Sequence, residues 1–199
     1  GCNFHCDFCQ NWVSSQALRD PASERSGRYI QKVTPRDLVA YALRNGAEII
    51  ASSYNEPLIT SEWAMDIFKP AKEAGLRCVY VSNGYATPEV LHALQPYMDG
   101  FKVDLKCMSD QHYHELGGTL QVVLDAIKLA HELGMWVEVV TLVIPDFNDG
   151  NEELWEIARY LVSISPDIPW HVTAFYPTYK RQDTPATSAL ILQRAADIG

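Results

Sequence analysis

Gly1-Cys2-Asn3-Phe4-His5-Cys6-Asp7-Phe8-Cys9 sets three cysteines at the spacing C-x3-C-x2-C inside one short loop. Three thiols cannot all pair with one another, and a loop this short brings the sulfurs to one region, so a metal centre explains them better than a disulfide. A structural zinc wants a fourth protein ligand from Cys or His. His5 is at hand, but it sits between two of the cysteines in a loop that already has to bend three sulfurs inward. A four-iron, four-sulfur (4Fe-4S) cluster normally takes four cysteines, one per iron, so three leave one iron open to an outside ligand. The alternative from another class is a non-catalytic zinc-binding interaction domain.

Outward from that loop, Asn11 to Arg28 is polar and holds Pro21 and Gly27, which predicts a long surface loop or lid. Thr34-Pro35-Arg36-Asp37 reads as an N-cap with proline at the first helical position, and Asn45-Gly46 as a stop, giving a helix over about 35–45. A unit then repeats. Apolar runs at Glu48 to Tyr54, Arg77 to Asn83, Gly100 to Lys106, Trp136 to Pro145 and Trp170 to Pro177 alternate with helical patterns over about 60–74, 87–96, 120–133 and 151–163. Alternating strands and helices mean βα units and a parallel α/β sheet. A cluster loop ordinarily leaves the end of a core strand, so a sixth strand is expected upstream of Cys2, making the chain an N-terminally truncated piece of a longer protein.

A chain of 199 residues, 47% hydrophobic, can bury one sizeable core, so residues 1–199 are read as a single domain. A net charge of −9 disfavours a nucleic-acid or anionic-membrane surface as the main partner. No apolar run approaches membrane-span length and no signal peptide opens the chain. A cytoplasmic location, with thiols kept reduced, is the expectation.

In folds built from βα units, functional residues gather at the C-terminal ends of the strands. Here those ends carry Tyr54-Asn55-Glu56-Pro57, Ser82-Asn83-Gly84-Tyr85, Asp104-Leu105-Lys106, Thr141 to Asn148 and His171 to Tyr176. Asp104 and Lys106 are two apart and project to the same side, whereas Glu138 and Thr141 fall on opposite faces. Cys78 reads as a small core residue, Cys107 as one that approaches the pocket without being a ligand, and His112 and His114 as solvated.

The cysteine loop, with Phe8 just before the third cysteine, resembles that of the radical S-adenosylmethionine (SAM) enzymes. That resemblance implies that Cys2, Cys6 and Cys9 hold a 4Fe-4S cluster and that SAM chelates the open iron. An electron from the cluster would then cleave SAM to methionine and a 5′-deoxyadenosyl radical for hydrogen abstraction. The implied fold is a partial (β/α)6 barrel, TIM-like but not closed. Asn55-Glu56-Pro57 stands where the family has Gly-Gly-Glu-Pro, with Tyr54 and Asn55 in place of the glycines and Glu56 as acceptor for the SAM ammonium. Ser82 and Asn83 are implied at the SAM pocket. The Asp104-Leu105-Lys106 run is similar to one in glycyl-radical-activating enzymes, where the charged pair lies at SAM. Phe8, Asn11, Thr141 and His171 complete the implied cofactor-binding set. The whole pattern, with Gln10-Asn11-Trp12 after Cys9, is most similar to the AmmeMemoRadiSam-system branch, itself similar to pyruvate formate-lyase-activating enzyme. The expected partners are SAM, an electron donor such as flavodoxin or ferredoxin, and a large substrate admitted by the open side of the barrel, for which a glycine loop of a partner protein is one candidate.

Overall fold

The computed structural model describes residues 1–17, 19–23 and 31–199. Five strands, β1 (Ile49–Ser52), β2 (Arg77–Ser82), β3 (Gly100–Asp104), β4 (Trp136–Val143) and β5 (Trp170–Ala174), form one parallel sheet in sequence order. When each strand is added on the same side of the last by crossovers of one hand, all the helices fall on one face. The other face curls inward. The result is an open partial barrel, since among the described residues β1 and β5 pair only with their inner neighbours.

The strand residues show the two layers. Along β4, Val137, Val139, Thr141 and Val143 are buried, while Glu138, Val140 and Leu142 alternate with them on the half-open inner face. Beneath the outer face lie α3 (Ser61–Glu73), α4 (Pro88–Leu94), α6 (Leu120–Glu132) and α7 (Asn151–Ile164), whose buried residues Phe68, Leu91, Leu94, Ile127 and Ile157 fill the core. The start of α2 (Pro35–Arg44) is fixed as the sequence foretold. Thr34 caps it by accepting from the Asp37 N–H at 3.2 Å, and the Asp37 carboxylate accepts in return from the Thr34 N–H at 3.3 Å.

Three helices differ from the sequence expectation. The segment expected to be a surface loop or lid begins with a short helix, α1 (Trp12–Ser15), and buries Ser15 and Gln16 against the cysteine loop and Ser23 against the Gln16 carbonyl. Leu18 and residues 24–30 lie outside the described residues. The segment holding His112 and His114 is a helix, α5 (Asp110–Leu116), and His112 is not solvated. Its ring stacks on Phe147 at 4.5 Å and its Nδ1 is buried without a partner. A last helix, α8 (Ala189–Ile198), packs on β5.

The cysteine loop is anchored in this core by Phe4, whose buried ring meets Tyr85 at 5.3 Å and Tyr113 at 6.1 Å. The turn after α5 has to pass close beneath. A Cβ on Gly117, which has φ of +93°, would lie 2.5 Å from the His5 ring, and one on Gly118 would lie 2.5 Å from Phe4. Only glycine permits that approach.

Candidate active site

Cys2, Cys6 and Cys9 converge on one cavity of about 330 Å³ at the C-terminal ends of the strands. Across from them stand Asn55 after β1, Ser82 and Asn83 at the end of β2, and Asp104 and Lys106 at the end of β3. Asn11 and Ser15 close the side nearest the cysteines, with the Cys9 Sγ 3.3 Å from the Ser15 hydroxyl. Ten of the residues singled out in the sequence are placed around this space or directly behind its wall, on four separate segments.

The thiols differ in setting. Cys6 is the most buried, and burial pushes its pKa up to about 12 against the pull of the Lys106 ammonium. Burial raises Cys2 as well. Binding a metal here therefore means displacing protons held tightly in the cofactor-free protein. Among the described residues no three His, Cys, Asp or Glu side chains gather closely enough to share one metal ion. A structural zinc takes four ligands from Cys or His, and among the residues lining this cavity only Cys2, Cys6 and Cys9 are of those types. A 4Fe-4S cluster places each cysteine on a different iron, which suits three thiols that face one space without meeting at a point.

At the end of β1, Tyr54 and Asn55 have φ of +63° and +58°. The left-handed backbone natural to glycine is thus present at both positions without glycine, at a cost of roughly 1–2 kcal/mol for a residue such as Tyr54. The Asn55 side chain is held by the Ser14 hydroxyl, which donates to its Oδ1 at 2.8 Å and so ties this turn to α1.

Glu56, the expected acceptor for the SAM ammonium, is turned inward toward the end of β2. It is 2% exposed and does not line the cavity. Its Oε1 accepts from the Leu58 N–H at 2.9 Å and the Ser82 hydroxyl at 2.8 Å, and its Oε2 from the Asn83 N–H at 2.7 Å. Burial raises its pKa although these three hydrogen bonds oppose the rise. The carboxylate is a strut joining the ends of β1 and β2. Glu56→Gln should therefore destabilise the cofactor-free protein by about 1–3 kcal/mol in urea unfolding, because the amide leaves a buried donor unpaired. Unchanged stability with collapsed SAM binding would return Glu56 to the role of ammonium acceptor.

Asn83 reaches the cysteine loop directly. Its Nδ2 donates to the Asn3 Oδ1 at 2.7 Å and lies 3.9 Å from the Cys2 sulfur. Lys106 lies just past β3, and its Nζ meets the Asp104 Oδ2 at 3.1 Å. Burial disfavours the ammonium, but Asp104, then Cys6 and Tyr113, outweigh it and hold the group above the ordinary lysine range. The backbone here is braced by Tyr113, which no sequence pattern signals, and by Asn148 at the end of the β4 stretch. The Lys106 N–H donates to the Tyr113 hydroxyl at 3.0 Å, and Asn148 donates to the carbonyls of Lys106 and Leu142 at 2.6 and 2.8 Å.

Phe8, Thr141 and His171 are not brought to the cysteine cavity. Phe8 lines an adjoining cleft of about 170 Å³ with Gln10, Val140, Leu142 and Thr173, which shares Asp104 and Lys106 with the first. Thr141 is fully buried on the helix side of β4, where its hydroxyl donates to the Leu105 carbonyl at 3.0 Å and accepts from the Trp170 Nε1 at 3.0 Å. The strand's alternation sends it away from the cavity. His171 pairs with Glu138 at 2.9 Å on the inner face. The Trp136 indole, then His171, hold that carboxyl below its usual range. Glu138 lines a separate hollow of about 690 Å³ at the N-terminal end of the sheet, with Ile49, Arg77, Gly100 and Trp136. Cys78 and Cys107 are buried and line neither cavity.

The Radical SAM superfamily profile matches residues 1–161. An uncharacterized protein of Methanocaldococcus jannaschii is 35% identical over 199 residues, covering all of this chain and 57% of its own length. An isethionate sulfite-lyase activating enzyme of Oleidesulfovibrio alaskensis is 25% identical over 170 residues, covering 82% of this chain and 54% of its own. The chain thus spans about half the length of these curated relatives. Among solved structures, a domain of pyruvate-formate lyase-activating enzyme from Bacteroides vulgatus superposes with a TM-score of 0.63 at 19% identity, over 75% of this chain and 91% of that one. The profile spans the whole stretch that builds the cysteine cavity, and the chain belongs to the radical SAM superfamily.

Proposed function

We propose that this chain is the core of an enzyme that cleaves SAM reductively and abstracts hydrogen from a substrate, residues 1–199 forming one domain. The observation that carries the reading is the single cavity shared by three cysteines and the polar ends of β1, β2 and β3. Cys2, Cys6 and Cys9 would hold a 4Fe-4S cluster, which, when bound, supplies the electron that breaks SAM into methionine and a 5′-deoxyadenosyl radical.

The chain's own residues do the rest. SAM carries a sulfonium, an ammonium and a carboxylate, and the cavity offers Lys106 for the negative group and Asp104 for a positive one. Asn11, Asn55, Ser82 and Asn83 add polar atoms to its walls. The adjoining cleft beside Phe8 and Leu142 would position the substrate's hydrogen and exclude water. A relative named as a putative glycyl-radical enzyme activating enzyme supports a protein glycine as the target, and a flavodoxin or ferredoxin would supply the electron. Among the described residues no helix is long and apolar enough to cross a membrane.

The test is anaerobic reconstitution with iron and sulfide, followed by SAM and a strong reductant without substrate. Slow release of 5′-deoxyadenosine and methionine is expected by chromatography, slow because substrate completes the site. A protein that bound cluster and SAM yet released none under strong reduction would end this reading. Bound zinc with no iron uptake would favour the zinc domain.

A further inference from the structure

The segment after β5 folds back over the cysteine loop. Residues 178–181 form a tight turn, in which the Thr178 N–H donates to the Arg181 carbonyl at 3.2 Å and the Arg181 N–H to the Thr178 carbonyl at 3.1 Å. Tyr179, at its tip, has φ of +54° without being glycine. Strain of this kind persists where surrounding contacts over-determine it, and the contacts here are numerous.

The N–H groups of Lys180 and Arg181 both donate to the Asp7 carbonyl, at 2.9 and 3.2 Å. The Arg181 Nε donates to the Asp7 Oδ2 at 3.1 Å. Its guanidinium lies 5.4 Å from the Phe8 ring and 4.9 Å from that of Phe147. Tyr179 stacks on Trp12 at 5.1 Å with the rings 10° apart, and its hydroxyl donates to Asp20 at 2.6 Å. Asp7 and Phe8 are the two residues between Cys6 and Cys9. A single turn thus grips the loop between two cysteines and the α1 segment following the third.

We propose that the turn at residues 178–181 is a clasp that sets the positions of the Cys6 and Cys9 sulfurs, with Arg181 as its positioning residue. The proposal rests on the reading that these cysteines hold a cluster. Arg181 touches no reacting atom. It acts by fixing Asp7 through its Nε–H and Phe8 through the guanidinium lying over that ring, which lysine cannot do together. Groups that orient ligands in this way typically change metal affinity about 10- to 100-fold when removed.

The test compares Arg181→Ala, Arg181→Lys, Asp7→Asn and the Arg181→Ala/Asp7→Asn double variant. The control is Arg194→Ala, which breaks a remote ion pair to Asp149. In the cofactor-free proteins, hydrogen–deuterium exchange of the peptide covering residues 1–10 is read against circular dichroism of the whole. In the reconstituted proteins, iron loss to a chelator and the electron paramagnetic resonance line shape of the reduced cluster are read. Arg181→Ala and Arg181→Lys are expected to speed both exchange and iron loss about tenfold at unchanged helix content, and to alter the line shape. The double variant is expected to be no worse than Arg181→Ala, because one contact is lost in both, and the control is expected to match the unaltered protein. Exchange at the unaltered rate in a folded Arg181→Ala variant overturns the clasp. Exchange needs no cluster, so failure of the unaltered protein to take up iron overturns the cluster reading alone.

Discussion

Cys6→Ala is expected to abolish iron–sulfur uptake, measured as iron and sulfide per chain and as charge-transfer absorption in the visible after anaerobic reconstitution. The reading gives a cluster only three protein ligands, and Cys6 is the deepest of them at 7% exposure. Burial pushes its thiol up to about 12, so a metal that binds Cys6 has to displace a proton there. No other described cysteine can substitute, since Cys78 and Cys107 are buried away from the cavity, the first donating to the Phe68 carbonyl at 3.8 Å and the second to that of Ser109 at 3.5 Å. Cys2→Ala and Cys9→Ala should behave as Cys6→Ala does, while Cys78→Ala should keep its iron. A Cys78→Ala variant that lost iron, beside a Cys9→Ala variant that kept it, would overturn the ligand assignment.

The five strands were legible because each apolar run ends in polar residues, and the observed strands lie inside those runs, shortened at the C-terminal side by one to three residues. Among the trimmed residues, Ser53, Tyr54, Asn83 and Lys106 leave the ladder to line the site. Spacing placed the cysteines and the Asp104–Lys106 pair in one cavity, but a motif does not show which way its carboxylate turns. Glu56 looks inward to two backbone N–H groups and a hydroxyl that no one-dimensional pattern displays. Thr141 and Glu138 face opposite ways, as a regular strand dictates, and it is Thr141 that turns to the helices. The helix α5 escaped notice because seven residues bury only Tyr113 and Leu116, too little apolar surface to mark a period. The clasp was invisible for a different reason, since its ion pair joins residues 174 positions apart.

Lys106→Ala is expected to weaken SAM binding about 10- to 100-fold, the effect of losing a charge-assisted contact worth roughly 1.5–3 kcal/mol, while leaving the cluster in place. The stability effects of the two partners should differ, and the difference follows from exposure. The Lys106 side chain is 16% exposed and that of Asp104 41%. Removing the lysine leaves a carboxylate that water still reaches, so Lys106→Ala should cost no more than about 1 kcal/mol in urea unfolding. Asp104→Asn leaves a poorly solvated ammonium facing the Cys6 thiol and the Tyr113 hydroxyl. It should cost more, though less than the roughly 3–5 kcal/mol of a fully buried pair broken on one side. Circular dichroism establishes that each variant is folded, and calorimetry with SAM measures the affinity. The cysteines stand on a different segment from β3, so iron content should match the unaltered protein in both variants. A folded, iron-loaded Lys106→Ala protein that bound SAM with unchanged affinity would reduce Lys106 to one half of an internal ion pair, and the cavity's negative-group partner would have to be sought among Asn11, Asn55 and Ser82.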